Sequence, residues 1–194
     1  MQNRLPTFKS AYGLRAAMLS SSDPIRGLGL ATGMKSINVL SLGDAGPDLK
    51  GLRAALFDAI RGFDFVCCHI GLPADASRRH DSGAKVESLE AIDREIIGPV
   101  FDALEEYGDP ERDQRSRGWR LLIAPSHAVS VETGAPDAGP VPFLLAGSRV
   151  RGVVPRPFTE AGAADTDLVI ADGHELMEYL LRGGLAGARS GRGR

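Results

Sequence analysis

Two polar stretches hold the residues able to do chemistry. "GLPADASRRHDSG" (71–83) and "APSHAVSVETGAPDAG" (124–139) bring Asp75, His80, Asp81, Ser126, His127, Glu132 and Asp137, a set rich in carboxylate and imidazole groups. Oxygen and imidazole donors of this kind, taken as a set, suit a divalent metal. No tight ligand spacing such as HExxH accompanies them, and solvated loop residues remain the plain alternative. Ser126 and His127 also raise a serine-hydrolase reading. Adjacent residues of an extended strand point apart, so the pair is not expected to act as nucleophile and base, and no GxSxG turn is present. His69 reads as a core or strand-end histidine and His174 as part of a helix N-terminus.

The surrounding sequence must place these stretches. Strand-length apolar runs alternate with segments of helical period, the signature of βαβ units and a largely parallel sheet flanked by helices. "AAMLS" (16–20), "SINVLSL" (36–42), "FDFVCCHI" (63–70), "WRLLIAP" (119–125) and "VPFLLAGS" (141–148) read as strands. Helices are expected after Ser22 or Asp23, with Pro24 in the first turn, and over 47–63, with Leu49, Leu52, Leu56 and Ile60 inward and Gly62 as a C-cap. The longest helical pattern covers 83–108. Its apolar stripe is Val86, Leu89, Ile92, Ile96, Val100, Phe101 and Leu104, and Gly98-Pro99 should kink it. In an α/β sheet, loops at the carboxyl ends of strands gather ligand-binding groups, and both polar stretches follow strands.

Composition bounds the rest. The 194 residues, 43% of them hydrophobic, suit one α/β domain over 1–182, followed by a disordered Gly- and Arg-rich tail at 183–194. With 23 basic and 25 acidic side chains and a formal charge of −2, nothing favours nucleic acid or an anionic membrane as partner. No stretch approaches the roughly 18 apolar residues of a membrane helix, and the N-terminus lacks a signal-peptide core. The two cysteines, Cys67 and Cys68, are adjacent in a strand pattern, where they would not readily bridge, and a reducing cytoplasm is the expected location.

Four ordered stretches carry a resemblance. "LPTFKSAYGLRAAMLSSSDPIRGLGLATGMKSINV", "FDFVCCHIGLPADASRRHDSGAKVESLEAID", "LLIAPSHAVSVETGAPDAGPVPFLLAG" and "FTEAGAADTDLVIADGHELMEYLL" resemble the C-terminal part of the archaeal-type 2,3-bisphosphoglycerate-independent phosphoglycerate mutases, members of the alkaline phosphatase superfamily. The resemblance implies an alkaline-phosphatase-like α/β core without its N-terminal part. It also implies interconversion of 3- and 2-phosphoglycerate through a phosphoserine, with two divalent ions (Mn2+, Mg2+ or Zn2+) clamping the phosphoryl group.

Carried over residue by residue, the metal-binding Asp and His of the family's PDEAGH fall on Ala74 and Arg78. The Asp of its PDHPTP falls on Ser126, its His is kept as His127, and the His of its THT falls on Pro136. Asp75 and His80 lie one and two positions beyond Ala74 and Arg78 and are the candidate shifted ligands. No residue here takes the place of the family's nucleophilic serine, which lies upstream of the resembling part, so no catalytic residue is assigned. Two expectations follow. Either another polypeptide or a longer reading frame supplies the missing serine and ligands, or the chain is a non-catalytic homologue kept as a scaffold or binding a phosphorylated small molecule through Arg78, Arg79 and His127, with self-association a way to cover the surface where the absent part would pack.

Overall fold

The computed structural model describes residues 5–39, 48–152 and 156–182. The 183–194 tail and most of the loop after the second strand lie outside the described residues. The chain forms two compact units, one of residues 1–100 with 131–134 and one of residues 101–130 with 135–194.

The first unit is built on a three-stranded parallel sheet, ordered β2-β1-β3. Its strands are β1 (Ala16–Ser20), β2 (Lys35–Asn38) and β3 (Phe65–Cys68). The central strand is buried along its whole length, which small and apolar side chains on both faces permit. In register, Leu19 pairs with Ile37 on one side and Cys68 on the other. Order β2-β1-β3 makes the sheet reverse direction of winding at β1, so ligand-binding groups are expected beyond the ends of β1 and β3.

Helices return the chain between strands. α1 (Phe8–Tyr12) starts at Thr7, whose hydroxyl accepts the Ser10 amide, and its Phe8 ring stacks on Phe65 at 4.6 Å. α2 (Asp23–Ala31) starts after Ser22 with Pro24 in its first turn, although Ser22 makes no side-chain cap bond. α3 (Leu49–Gly62) is capped by Asp48, which accepts the Gly51 amide at 2.8 Å, and it buries Leu49, Leu52, Leu56 and Ala59. Gly62 closes this helix from within. The cap is Phe63, already extended on its way into β3. α4 (Leu72–Arg78) and α5 (Ser82–Ile92) follow, with Asp81 capping α5 through the Ala84 amide at 2.9 Å.

The expected kink takes a different form. Ahead of Gly98-Pro99 the chain makes a π turn over Asp93–Ile97, and the Gly98 amide reaches back to the Asp93 carbonyl before α6 (Gly98–Glu105) resumes. Pro99 has no N–H to give the Glu95 carbonyl. The Arg53 guanidinium of α3 gives one instead, at 3.2 Å, and also pairs with the Glu95 carboxylate at 3.2 Å. One extra residue in a π turn rotates the following helix by about 100°. Accordingly Ile96, Val100 and Leu104 are buried while Val86 and Leu89 of the same expected stripe are 54% and 51% exposed.

The second unit contains an antiparallel pair, β4 (Arg120–Ile123) with β7 (Leu144–Gly147), and a short antiparallel hairpin, β5 (Ala128–Val129) with β6 (Pro136–Asp137). Gly147 has φ +111, and a Cβ there would fall on the Trp119 carbonyl oxygen, so only glycine fits. α7 (Glu160–Ala164) and α8 (Glu175–Arg182) complete it. Arg120 donates from one side chain to the carbonyls of Ser148, Leu180 and Leu181, closing the end of α8. Among the described residues no helix is long and apolar enough to cross a membrane.

Candidate functional site

At the carboxyl end of the parallel sheet, Ser20 and His69 are the register pair that follows Leu19 and Cys68. Parallel neighbours in register share a face. The His69 amide continues the ladder to the Leu19 carbonyl at 2.9 Å, and its ring Nδ1 lies 3.0 Å from Ser20 Oγ. Ser20 is fully buried, and the same Oγ accepts the Ser22 amide at 3.0 Å. Arg26 donates to the carbonyls of Ser20 and Ser21 and pairs with Asp23, fixing the turn from β1 into α2. Sequence reading left this pair apart, since its members are 49 residues distant. Strand register is the signal that joins them.

Beyond β3, the Asp75 carboxylate on α4 is held by Arg78 one turn on, at 2.8 Å. Asp75 and His69 flank Gly71: a Cβ there would lie 3.5 Å from Asp75 Oδ2 and 3.8 Å from His69 Cε1. Arg79 ends α4, exposed, with no side-chain hydrogen bond or ion pair among the described residues. His80 is left-handed at φ +59. Its Nδ1 lies 2.9 Å from the Val131 carbonyl, which can only accept, so Nδ1 carries the proton and only Nε2 is open to a ligand. Gly134, also left-handed, lets its backbone close on this turn, with His80 Cε1 3.3 Å from where a Cβ would stand.

Cys67 and Cys68 are free thiols in β3. Burial pushes the Cys68 thiol up to about 12, with a smaller contribution from Cys67, so neither is poised as a thiolate.

In the second unit, Ser126 and His127 lie in a bend after β4 rather than in a strand. The expectation that they point apart fails for that reason: Ser126 Oγ lies 3.0 Å from His127 Nδ1. The contact is exposed, and no carboxylate orients the imidazole among the hydrogen bonds of the described residues, so it lacks the third member that a nucleophilic triad uses. Asp137 turns inward on its own loop and accepts the Gly139 amide at 2.6 Å.

These residues do not fit a metal pair. Ala74, Ser126 and Pro136 supply no strong ligand, Arg78 is a permanent cation, and Asp75 is already neutralised by it. His80 and His127 each retain one ring nitrogen. Among the described residues no three His, Cys, Asp or Glu side chains gather as a metal site requires.

No family model matches the chain. Relatives do. The 2,3-bisphosphoglycerate-independent phosphoglycerate mutase of Methanothrix thermoacetophila is 30% identical over 180 residues, covering 92% of this chain and 44% of that protein. A probable enzyme of the same name from Geobacter sulfurreducens is 27% identical, covering 92% and 43%. A third, mutase 2 of Methanothermobacter thermautotrophicus, is 29% identical over 90% and 41%. Among solved structures, that of the PH0037 protein from Pyrococcus horikoshii superposes with a TM-score of 0.80 at 22% identity, covering 93% of this chain and 45% of that one, and shares the fold. The chain thus spans less than half the length of the relatives it matches. Over 92% of its length, this chain is homologous to part of the 2,3-bisphosphoglycerate-independent phosphoglycerate mutases.

Proposed function

We propose that this chain is a phosphoglycerate-mutase homologue whose own residues do not carry the two-metal phosphoryl transfer, and that it binds a phosphorylated small molecule without turning it over. The observation that supports the reading is the Asp75–Arg78 ion pair. Resemblance puts a metal-binding imidazole at Arg78. A guanidinium stands there instead, cannot be deprotonated, and takes up the nearest carboxylate. Losing groups that merely orient metal ligands already costs about 10- to 100-fold in affinity or activity, and here the ligands themselves are replaced. A phosphate finds better partners than a metal does: Arg79 is exposed and Arg78 is 53% exposed despite its ion pair.

The test is turnover. Purified chain with 3-phosphoglycerate and magnesium, followed by phosphorus NMR, is expected to yield no 2-phosphoglycerate above the protein-free control while the phosphorus signal of 3-phosphoglycerate broadens only when the protein is present. Formation of 2-phosphoglycerate contradicts the reading.

A further inference from the structure

Ser20 Oγ has two lone pairs and one proton to place in a fully buried position. The Ser22 amide can only donate, so it takes one lone pair of Oγ. The hydroxyl proton then needs an acceptor, and among the described residues the only one in reach is His69 Nδ1 at 3.0 Å. An undonated buried hydroxyl is costly, so Nδ1 stays unprotonated and the ring proton of the neutral imidazole sits on Nε2. That nitrogen has no protein partner among the described residues, and no unpartnered polar side-chain atom in them is buried, so Nε2 meets solvent.

We propose that His69 is an oxyanion-binding residue, presenting its Nε2–H at the carboxyl edge of the parallel sheet to an oxygen of a phosphate or carboxylate, with Ser20 as the positioning residue that fixes the tautomer. The inference rests on the reading that the chain binds a phosphorylated molecule, and it names the donor. Three features favour it. The Nε2–H form donates, so it suits an anion's oxygen and cannot ligate a metal without first losing that proton. Its position, past the end of β3 beside the central strand where winding reverses, is where open α/β sheets bind ligands. The Asp75 carboxylate, which like His69 borders the space at Gly71, has its charge offset by Arg78. Ser20 itself is no nucleophile, since a fully buried Oγ cannot reach a substrate.

Nitrogen-15 NMR of the unmodified full chain at about pH 8, where imidazole is neutral, reads the tautomer directly. The expected result is Nε2–H for His69. Inorganic phosphate titrated at constant ionic strength should then shift the His69 ring signals saturably. Acetate in a parallel titration separates carboxylate from phosphate as the source of the oxygen. His69→Phe, which keeps a ring but has no donor, should weaken phosphate binding by about tenfold or more, the usual effect of losing a hydrogen bond to a charged group. Ser20→Ala should release the tautomer to a mixture. An Nδ1–H ring in the unmodified protein overturns the proposal, as do His69 signals that neither anion moves. Phosphate moving Arg79 but not His69 overturns this assignment while leaving the binding reading intact.

Discussion

At the scale of single residues, neighbourhood in sequence and neighbourhood in space part company. Ser126 and His127 are adjacent and their contact is exposed and incomplete, whereas Ser20 and His69 form a part-buried bond because β1 and β3 run parallel in register. The types of residue were legible, and the pairing was not, because pairing depends on register that no local pattern states. Cys68 gives a prediction with a definite sign. In the folded protein its thiol is raised from the ordinary 9.0 to about 12 by burial and then by Cys67. Unfolded chain releases this proton near 9.0, so between about 9 and about 12 the folded state holds a proton that the unfolded state has lost. Its contribution is therefore complete below that window and is lost as pH rises through it. Urea midpoints measured from about pH 8 to about pH 10 should fall, and the Cys68→Ala variant should fall less steeply. Equal slopes would show that Cys68 is not the group responsible.

At the scale of elements, the alternation of strands and helices was readable from apolar period, and β1, α3 and the interruption at Gly98-Pro99 follow it closely. The single continuous stripe from Val86 to Leu104 did not survive, because the π turn inserts a residue and turns the later half away from the earlier one. Periodicity assumes an unbroken helix, and a proline's missing donor is what breaks it. The β5–β6 hairpin was likewise invisible: two residues per strand carry no period. Arg53 is the element-scale partner that proline calls for. Arg53→Ala should leave the Glu95 carbonyl without its donor and its carboxylate with Arg94 alone, and cost about 1–3 kcal/mol in urea unfolding, with Arg53→Lys recovering part of it. No loss on removing Arg53 would mean that water serves Glu95 equally well.

At the scale of the whole molecule, homology and fold agree. Homology runs over 92% of the chain, and the α/β fold is shared with a solved structure at a TM-score of 0.80. Both were legible in four ordered sequence stretches, because core strands and glycine turns keep their pattern when individual polar groups change. Metal ligands are single residues, and under the proposed reading, which sets Ala74, Arg78, Ser126 and Pro136 in their places, the apolar pattern that carries the fold does not depend on them. Whether Asp75 and His80 could step in was open at the level of sequence. The Asp75 carboxylate is engaged by Arg78, while His80, tied through Nδ1 to the Val131 carbonyl, keeps Nε2 open.

Metal content decides the matter most directly. The full chain is incubated with manganese, desalted and analysed by mass spectrometry beside a His127→Ala control. The account predicts no retained metal in either protein. One or more manganese ions per chain, lost in the control, would contradict it and would return Asp75, His80 and His127 to the role of ligands.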